Sequence, residues 1–319
     1  MGWIANVAPS VICRSIGFVA GLMAALYADV QGRSGTMRNF HLYADFERGM
    51  TPDTAHRPLA QRLAIILFAL AQIATPLLPR FGIGQPVGEQ SDMTRTLITP
   101  AGWAFSIWGA LYLGAIVYAI WQALPAQRAN ALLARIAWPS AGAFAANAAW
   151  VAYTQVYGLG AASVAIILFG LACVLFIYRA FAAAPGFTTG ERWCAVLPLS
   201  ALSAWLSAAA IVNIAASLKF YGVEMNNVPP VAAAVIAVGG IIAATAIWRG
   251  RGNPWYALVF LWALAAIYAA GGQESSLVAA ATGLSALLVL LSAGARLNDA
   301  GNRHHWFRGR PEYHPTAAR

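Results

Sequence analysis

Long apolar runs, each about the length that crosses ~30 Å of hydrocarbon as a helix, follow one another through most of this chain. They lie near residues 63–79, 99–123, 136–153, 159–180, 194–218, 229–248, 254–271 and 276–294, with short polar loops between them. A helix of this length in a soluble protein would carry a charged face at the helical period, and these runs do not. Over 319 residues the chain is 60% hydrophobic and 10% charged, against about 25% charged in soluble domains, which is too little polar surface to cover it in water. Lipid is therefore its main solvent. The expected fold is all-α, a polytopic integral membrane bundle of about eight transmembrane helices.

The loops give the orientation. Arg57 and Arg62 precede the first run, Arg128 and Arg135 follow the second, Arg179 and Arg192 flank the loop after the fourth, and Arg249 and Arg251 follow the sixth. The alternate loops are neutral or acidic: Arg80 and Arg95 cancel Glu89 and Asp92, Lys219 cancels Glu224, and Glu274 stands alone. Positive charge stays on the cytoplasmic side, so both ends of the core are expected there, in a bacterial inner membrane. The expected division is a leader at 1–57, a five-helix domain at 58–218, three further spans at 219–295 and a basic tail at 296–319. Residues 1–49 leave three readings open: an over-extended or disordered leader, a ninth helix over Val11–Ala28 that includes Arg14, or an interfacial helix.

Several functions are disfavoured by what the chain carries. The net charge of +9 is scattered one or two residues at a time, so no phosphate-tracking patch forms and nucleic acid is not an expected partner. Lys219 is the only lysine and sits at a helix end, which argues against a retinal Schiff base. Cys13, Cys173 and Cys194 lack metal spacing, and the histidines all lie outside the apolar runs.

The second run is the most distinctive. Pro100 opens it, a position where proline is sterically welcome, and Trp103, Phe105, Trp108 and Tyr112 follow. Phe105, Trp108 and Tyr112 fall at spacings of three and four, on one helical face. Asn147 and Trp150 lie one turn apart in the third run, and Trp205 and Asn213 share a face of the fifth. An amide in hydrocarbon needs partners, so Asn147 and Asn213 are expected to face the interior, bonding either neighbouring helices or a ligand. The small residues around them, such as Ser207 and Ala208, allow close helix approach and also leave room for a groove. The loop from Arg80 to Ile98 carries Gly82, Gly84, Pro86 and Gly88 and is read as either a cover over a cavity mouth or a plain outer connection.

Pro100, Trp103, Phe105, Trp108, Tyr112, then Asn147 with Trp150, then Trp205 with Asn213 together resemble the tryptophan-rich sensory protein family (TspO, translocator protein family) over residues 60–218. The resemblance implies a five-helix bundle that binds porphyrins, and in some members sterols, beneath the loop joining its first two helices. The matching long loop stands before Pro100. Departures are also visible: Pro100-Ala101 replaces a proline pair, Phe105 and Trp108 are three apart rather than four, and three spans follow Lys219.

The leading expectation is a non-enzymatic sensory or binding protein whose site is Trp103, Phe105, Trp108, Tyr112, Asn147, Trp150, Trp205 and Asn213. No cofactor is required; the expected ligand is a hydrophobic planar molecule such as a porphyrin or other tetrapyrrole, with Arg80 and Arg95 as candidate partners for its acidic groups. The other expected partner is the lipid bilayer, and a homodimer is compatible with the pattern. A small-molecule transporter is the alternative, favoured by the extra helices but lacking acidic pairs within the runs. An enzyme is the weakest reading, because no nucleophile motif or intramembrane carboxylate pair is present.

Overall fold

The computed structural model describes residues 57–223 and 228–308, and all the regular structure among them is helical. The leader at 1–49, residues Glu224, Asn226 and Asn227, and the tail beyond 308 lie outside the described residues.

Prolines and capping side chains set most helix boundaries. Helix α1 (Leu59–Ala74) tightens into a 3₁₀ segment at Thr75–Phe81, where Pro76 and Pro79 lack the N–H groups an α-helix would use. A short helix α2 (Val87–Met93) stands in the long loop, and a 3₁₀ turn at Gly102–Ser106 leads into α3 (Ile107–Ala123). Asn130 caps α4 (Ala131–Tyr157) by accepting from the Leu133 N–H. Next come α5 (Ala161–Ala183) and α6 (Leu197–Phe220). A π-helical turn at Arg192–Val196 leads into α6, so Pro198 enters where regular α-helical bonding is already broken. Pro229 and Pro230 open α7 (Pro229–Arg249), Asn253 caps α8 (Pro254–Ala269), Ser275 caps α9 (Ser276–Leu297), and Asp299 caps the short α10 (Ala300–Phe307).

Among the described residues, seven helical stretches are long and apolar enough to cross a membrane: Leu59–Phe81, Gly102–Ala123, Ala161–Ala183, Thr189–Phe220, Pro229–Arg249, Pro254–Glu274 and Ser276–Leu297. They bear out the expected polytopic bundle. The remaining expected run, 136–153, lies in α4, whose 27 residues would reach about 40 Å and whose apolar character is diluted by Ser140, Asn147, Thr154 and Gln155. All four of these polar residues are buried, because α4 is the inner helix, packed between α1 and α5.

The later helices are not a separate appendage. α8 packs along α6 and against the 3₁₀ turn that begins the aromatic run, while α7 and α9 form the most extensive helix pair. Gly240 permits that pairing: a Cβ there would stand 2.4 Å from Ser285 Oγ and 2.5 Å from Ser285 Cβ, while Gly239 faces Ile211 of α6. Backbone also meets backbone where Ala101 N–H donates to Ala266 O at 3.0 Å, and where a Cβ on Gly271 would fall 1.9 Å from Leu97 O.

At the end of the bundle that carries the arginine loops, Arg57 and Arg62 reach the C-terminus of α3. Arg57 donates to Gln122 O at 3.0 Å and to Gln122 Oε1 at 2.7 Å, and Arg62 donates to Ala123 O. Each guanidinium satisfies carbonyls that a helix end leaves open and offsets its partial negative charge.

Candidate functional site

A cavity lies between the 3₁₀ turn that precedes α3 and helices α4, α6 and α8, beside α2. Phe105 and Pro100 come from the start of the aromatic run, Trp150 from α4, Trp205 and Asn213 from α6, Ala263 and Ile267 from α8, and Val87 and Ser91 from α2. On α6 the floor is made of small residues, Ala208, Ala209 and Ala216, so the helix surface recedes where Trp205 and Asn213 project. Its volume is about 50 Å³.

Aromatic edges rather than stacked faces build the wall. Trp205 receives Phe105 edge-on at 6.4 Å and Trp108 edge-on at 6.0 Å, and Trp108 in turn leans on Tyr112 at 5.4 Å. Trp205 is only 4% exposed, yet its indole Nε1 has no hydrogen-bond partner. Most buried indole N–H groups find an acceptor, so this one marks an unpaired polar point in a mainly apolar lining.

The other polar wall groups are engaged with one another. Trp150 Nε1 donates to Asn213 Oδ1 at 3.2 Å, and Asn213 Nδ2 donates to Ser163 Oγ at 3.0 Å, which ties α4, α6 and α5 together. Asn147 lies elsewhere: its Nδ2 donates to Gln72 Oε1 at 3.0 Å, joining α4 to α1. Trp103 is also outside the cavity, 47% exposed, and meets Trp262 edge-on at 4.8 Å. Trp262 Nε1 then donates to Ala104 O at 3.2 Å, fastening α8 to the aromatic run.

Of the eight residues expected at the site, the structure thus brings Phe105, Trp150, Trp205 and Asn213 to the cavity wall. Trp108 packs against Trp205 and Tyr112 against Trp108, while Asn147 and Trp103 serve helix contacts. Arg95 pairs with Asp92 and Arg80 is exposed, so neither guanidinium reaches the cavity. Glu274 is exposed in a turn.

Sequence reasoning missed Ala263 and Ile267, which lie on the plain later helices and carry no aromatic or polar mark. Ser163 was missed too, although a serine near the start of an apolar helix is a recognisable donor for an intramembrane amide. The long loop acts as the cover: Gln85 N–H donates to Gln155 O at 2.8 Å and Lys219 Nζ donates to Arg95 O, which holds α2 over the cavity.

A cavity with this placement, beneath the loop after the first helix and walled by tryptophans, is accompanied by a family match. The model of the TSPO-like protein family matches residues 59–294, from the start of α1 nearly to the end of α9. The chain belongs to the TSPO-like family. Neither the curated proteins nor the solved structures yield a match. In this TSPO-like protein the family match includes α7, α8 and α9, in keeping with the contribution of α8 to the cavity wall.

Proposed function

We propose that this multi-pass membrane protein is a non-enzymatic receptor for a hydrophobic small molecule with a flat ring and a hydrogen-bond acceptor, with a porphyrin as the leading candidate. The observation that carries the reading is the Trp205 indole N–H, buried and unpartnered on the wall of a mainly apolar cavity whose other indole and amide, Trp150 and Asn213, already bond each other. An acceptor on the ligand would satisfy it while the ligand's ring lies against Phe105, Trp150 and the receding alanines of α6. The volume of about 50 Å³ is far below the about 300–1,000 Å³ that ligand pockets generally hold. Occupancy by a macrocycle therefore involves outward movement of α2, whose attachment rests on polar contacts at the end of α4 and at Lys219.

In this reading the ligand is cargo or signal rather than a cofactor, and the loop arginines keep both ends of the core cytoplasmic in a bacterial inner membrane. Homodimers are compatible with it.

Titration of the purified chain with protoporphyrin, followed on tryptophan fluorescence and on the porphyrin absorbance, tests the proposal. Saturable binding is expected. Trp205→Phe keeps the ring but removes the donor and should weaken binding by up to about tenfold. Ala263→Trp should fill the cavity and abolish binding. No saturable binding, or binding indifferent to both substitutions, would count against the reading. Porphyrin flux in proteoliposomes that is lost with the same substitutions would convert it into the transporter alternative.

A further inference from the structure

At the arginine-rich end of the bundle, away from the cavity, two arginines lie near a buried histidine of α10. Arg192 enters from the π-helical turn before α6, Arg251 from the loop between α7 and α8, and His305 from α10. Arg192 and Arg251 both lie close enough to His305 to oppose its protonation. Phe187 meets the imidazole ring at 4.8 Å and Trp306 at 4.6 Å, and Trp306 Nε1 donates to Arg251 O at 3.0 Å, which fixes that loop under the helix.

Two of these groups are buried, and the arginine among them has open donors. His305 is 2% exposed, with its ring set against the Phe181 backbone, and Arg192 is 6% exposed, yet the Nε and one terminal nitrogen of Arg192 have no hydrogen-bond partner. The adjacent carboxylate is engaged elsewhere: Glu191 accepts from Asn130 Nδ2 at 2.9 Å and from Thr188 N–H at 2.8 Å. Asp299 accepts from the Asn302 N–H at 2.8 Å as the cap of α10. Among the described residues no carboxylate pairs with Arg192, Arg251 or His305. Buried cations without a counter-charge are costly, and convergent open N–H groups are the ordinary means of holding an oxyanion.

We propose that Arg192, Arg251 and His305 form a binding site for a phosphate group, carried by a phospholipid headgroup or by a small phosphorylated solute. The planar Arg192 guanidinium offers two adjacent donors to one phosphate, Arg251 adds charge from the half-buried loop, and His305 closes the site from above. The site stands apart from the aromatic cavity, so its occupancy is independent of the ligand reading.

Native mass spectrometry of the detergent-solubilised full chain tests this with three probes: inorganic phosphate, short-chain phosphatidylglycerol and short-chain phosphatidylcholine. Saturable binding of inorganic phosphate or phosphatidylglycerol is expected, reduced about tenfold in Arg192→Gln and in Arg251→Gln. Phosphatidylglycerol binding that inorganic phosphate does not displace assigns the site to a lipid, and displacement by inorganic phosphate assigns it to a solute. Arg251→Gln carries the test if Arg192→Gln fails to fold, because the Arg251 side chain is only half buried. Equal binding of phosphatidylcholine, lost in the same variants, supports a site that reads the phosphodiester alone, and the proposal is overturned if none of the three probes binds or if folded variants bind as the parent does.

Discussion

Asn213 separates two roles that an intramembrane amide can play, joining helices or holding a ligand. It is 3% exposed, accepts from Trp150 Nε1 at 3.2 Å and donates to Ser163 Oγ at 3.0 Å. In Asn213→Ala the two partners fare differently. Ser163 keeps its donation to Gly160 O at 2.7 Å, whereas Trp150 Nε1 loses its acceptor. One orphaned buried donor costs about 1–3 kcal/mol. Interhelical hydrogen bonds in membranes average about 0.6 kcal/mol and reach about 1.7, so the loss should fall near 1–2 kcal/mol. The cycle of Asn213→Leu, Trp150→Phe and the double variant isolates the pair, with unfolding in mixed detergent and denaturant as the assay. Removing both polar partners should cost less than the sum of the single changes, by about 0.6–1.7 kcal/mol. Additivity within about 0.3 kcal/mol would refute the reasoning, since it would mean that the indole and amide do not support each other. Protoporphyrin affinity should fall far less in Asn213→Leu than in Ala263→Trp, because the amide's own donor and acceptor are already engaged.

Other consequences are equally direct. Gly240→Ala places a methyl group 2.4 Å from Ser285 Oγ and should destabilise by about 1–3 kcal/mol in thermal unfolding, with partial recovery when Ser285→Gly is added. His305 is lowered from its ordinary value to about 4, by burial first and then by Arg251. Its folded pKa lies below the unfolded one, so the unfolded chain binds the extra proton and stability is lost as pH falls from about 6.5 towards 4. A melting temperature that falls over this window in the parent but not in His305→Phe is the expected result. Trp262→Phe removes the donation to Ala104 O and should cost about 0.5–1.5 kcal/mol in the same assay.

The sequence made the spanning helices legible because lipid demands long uninterrupted apolar runs, and it made the interior position of Asn147 and Asn213 legible because hydrocarbon does not tolerate an unpartnered amide. What it concealed were the partners. Gln72 reaches Asn147 across 75 positions of chain, and Ser163 reaches Asn213 across 50, distances at which no periodicity speaks. The resemblance pointed to Phe105, Trp150 and Trp205 at the cavity and grouped them with Trp103, whose ring faces Trp262 instead. Ala263 and Ile267 were invisible for a simpler reason: their contribution is shape, and small or aliphatic residues look the same on a cavity wall as in a packed core. The dilution of α4 by polar residues was on the page as sequence, but its meaning required knowing that α1 and α5 cover it.

The backbone bond from Ala101 to Ala266 has a bearing on how the molecule is made. Translation delivers α1 to α7 before α8 exists, so the nascent bundle lacks the α8 side of the wall that faces α6 and the Trp205 indole. Only when residues 254–269 have been inserted is that side in place. The cavity wall is thus completed late in synthesis, and a chain arrested or cleaved before α8 would keep its tryptophans while lacking the Ala263 and Ile267 side of that wall.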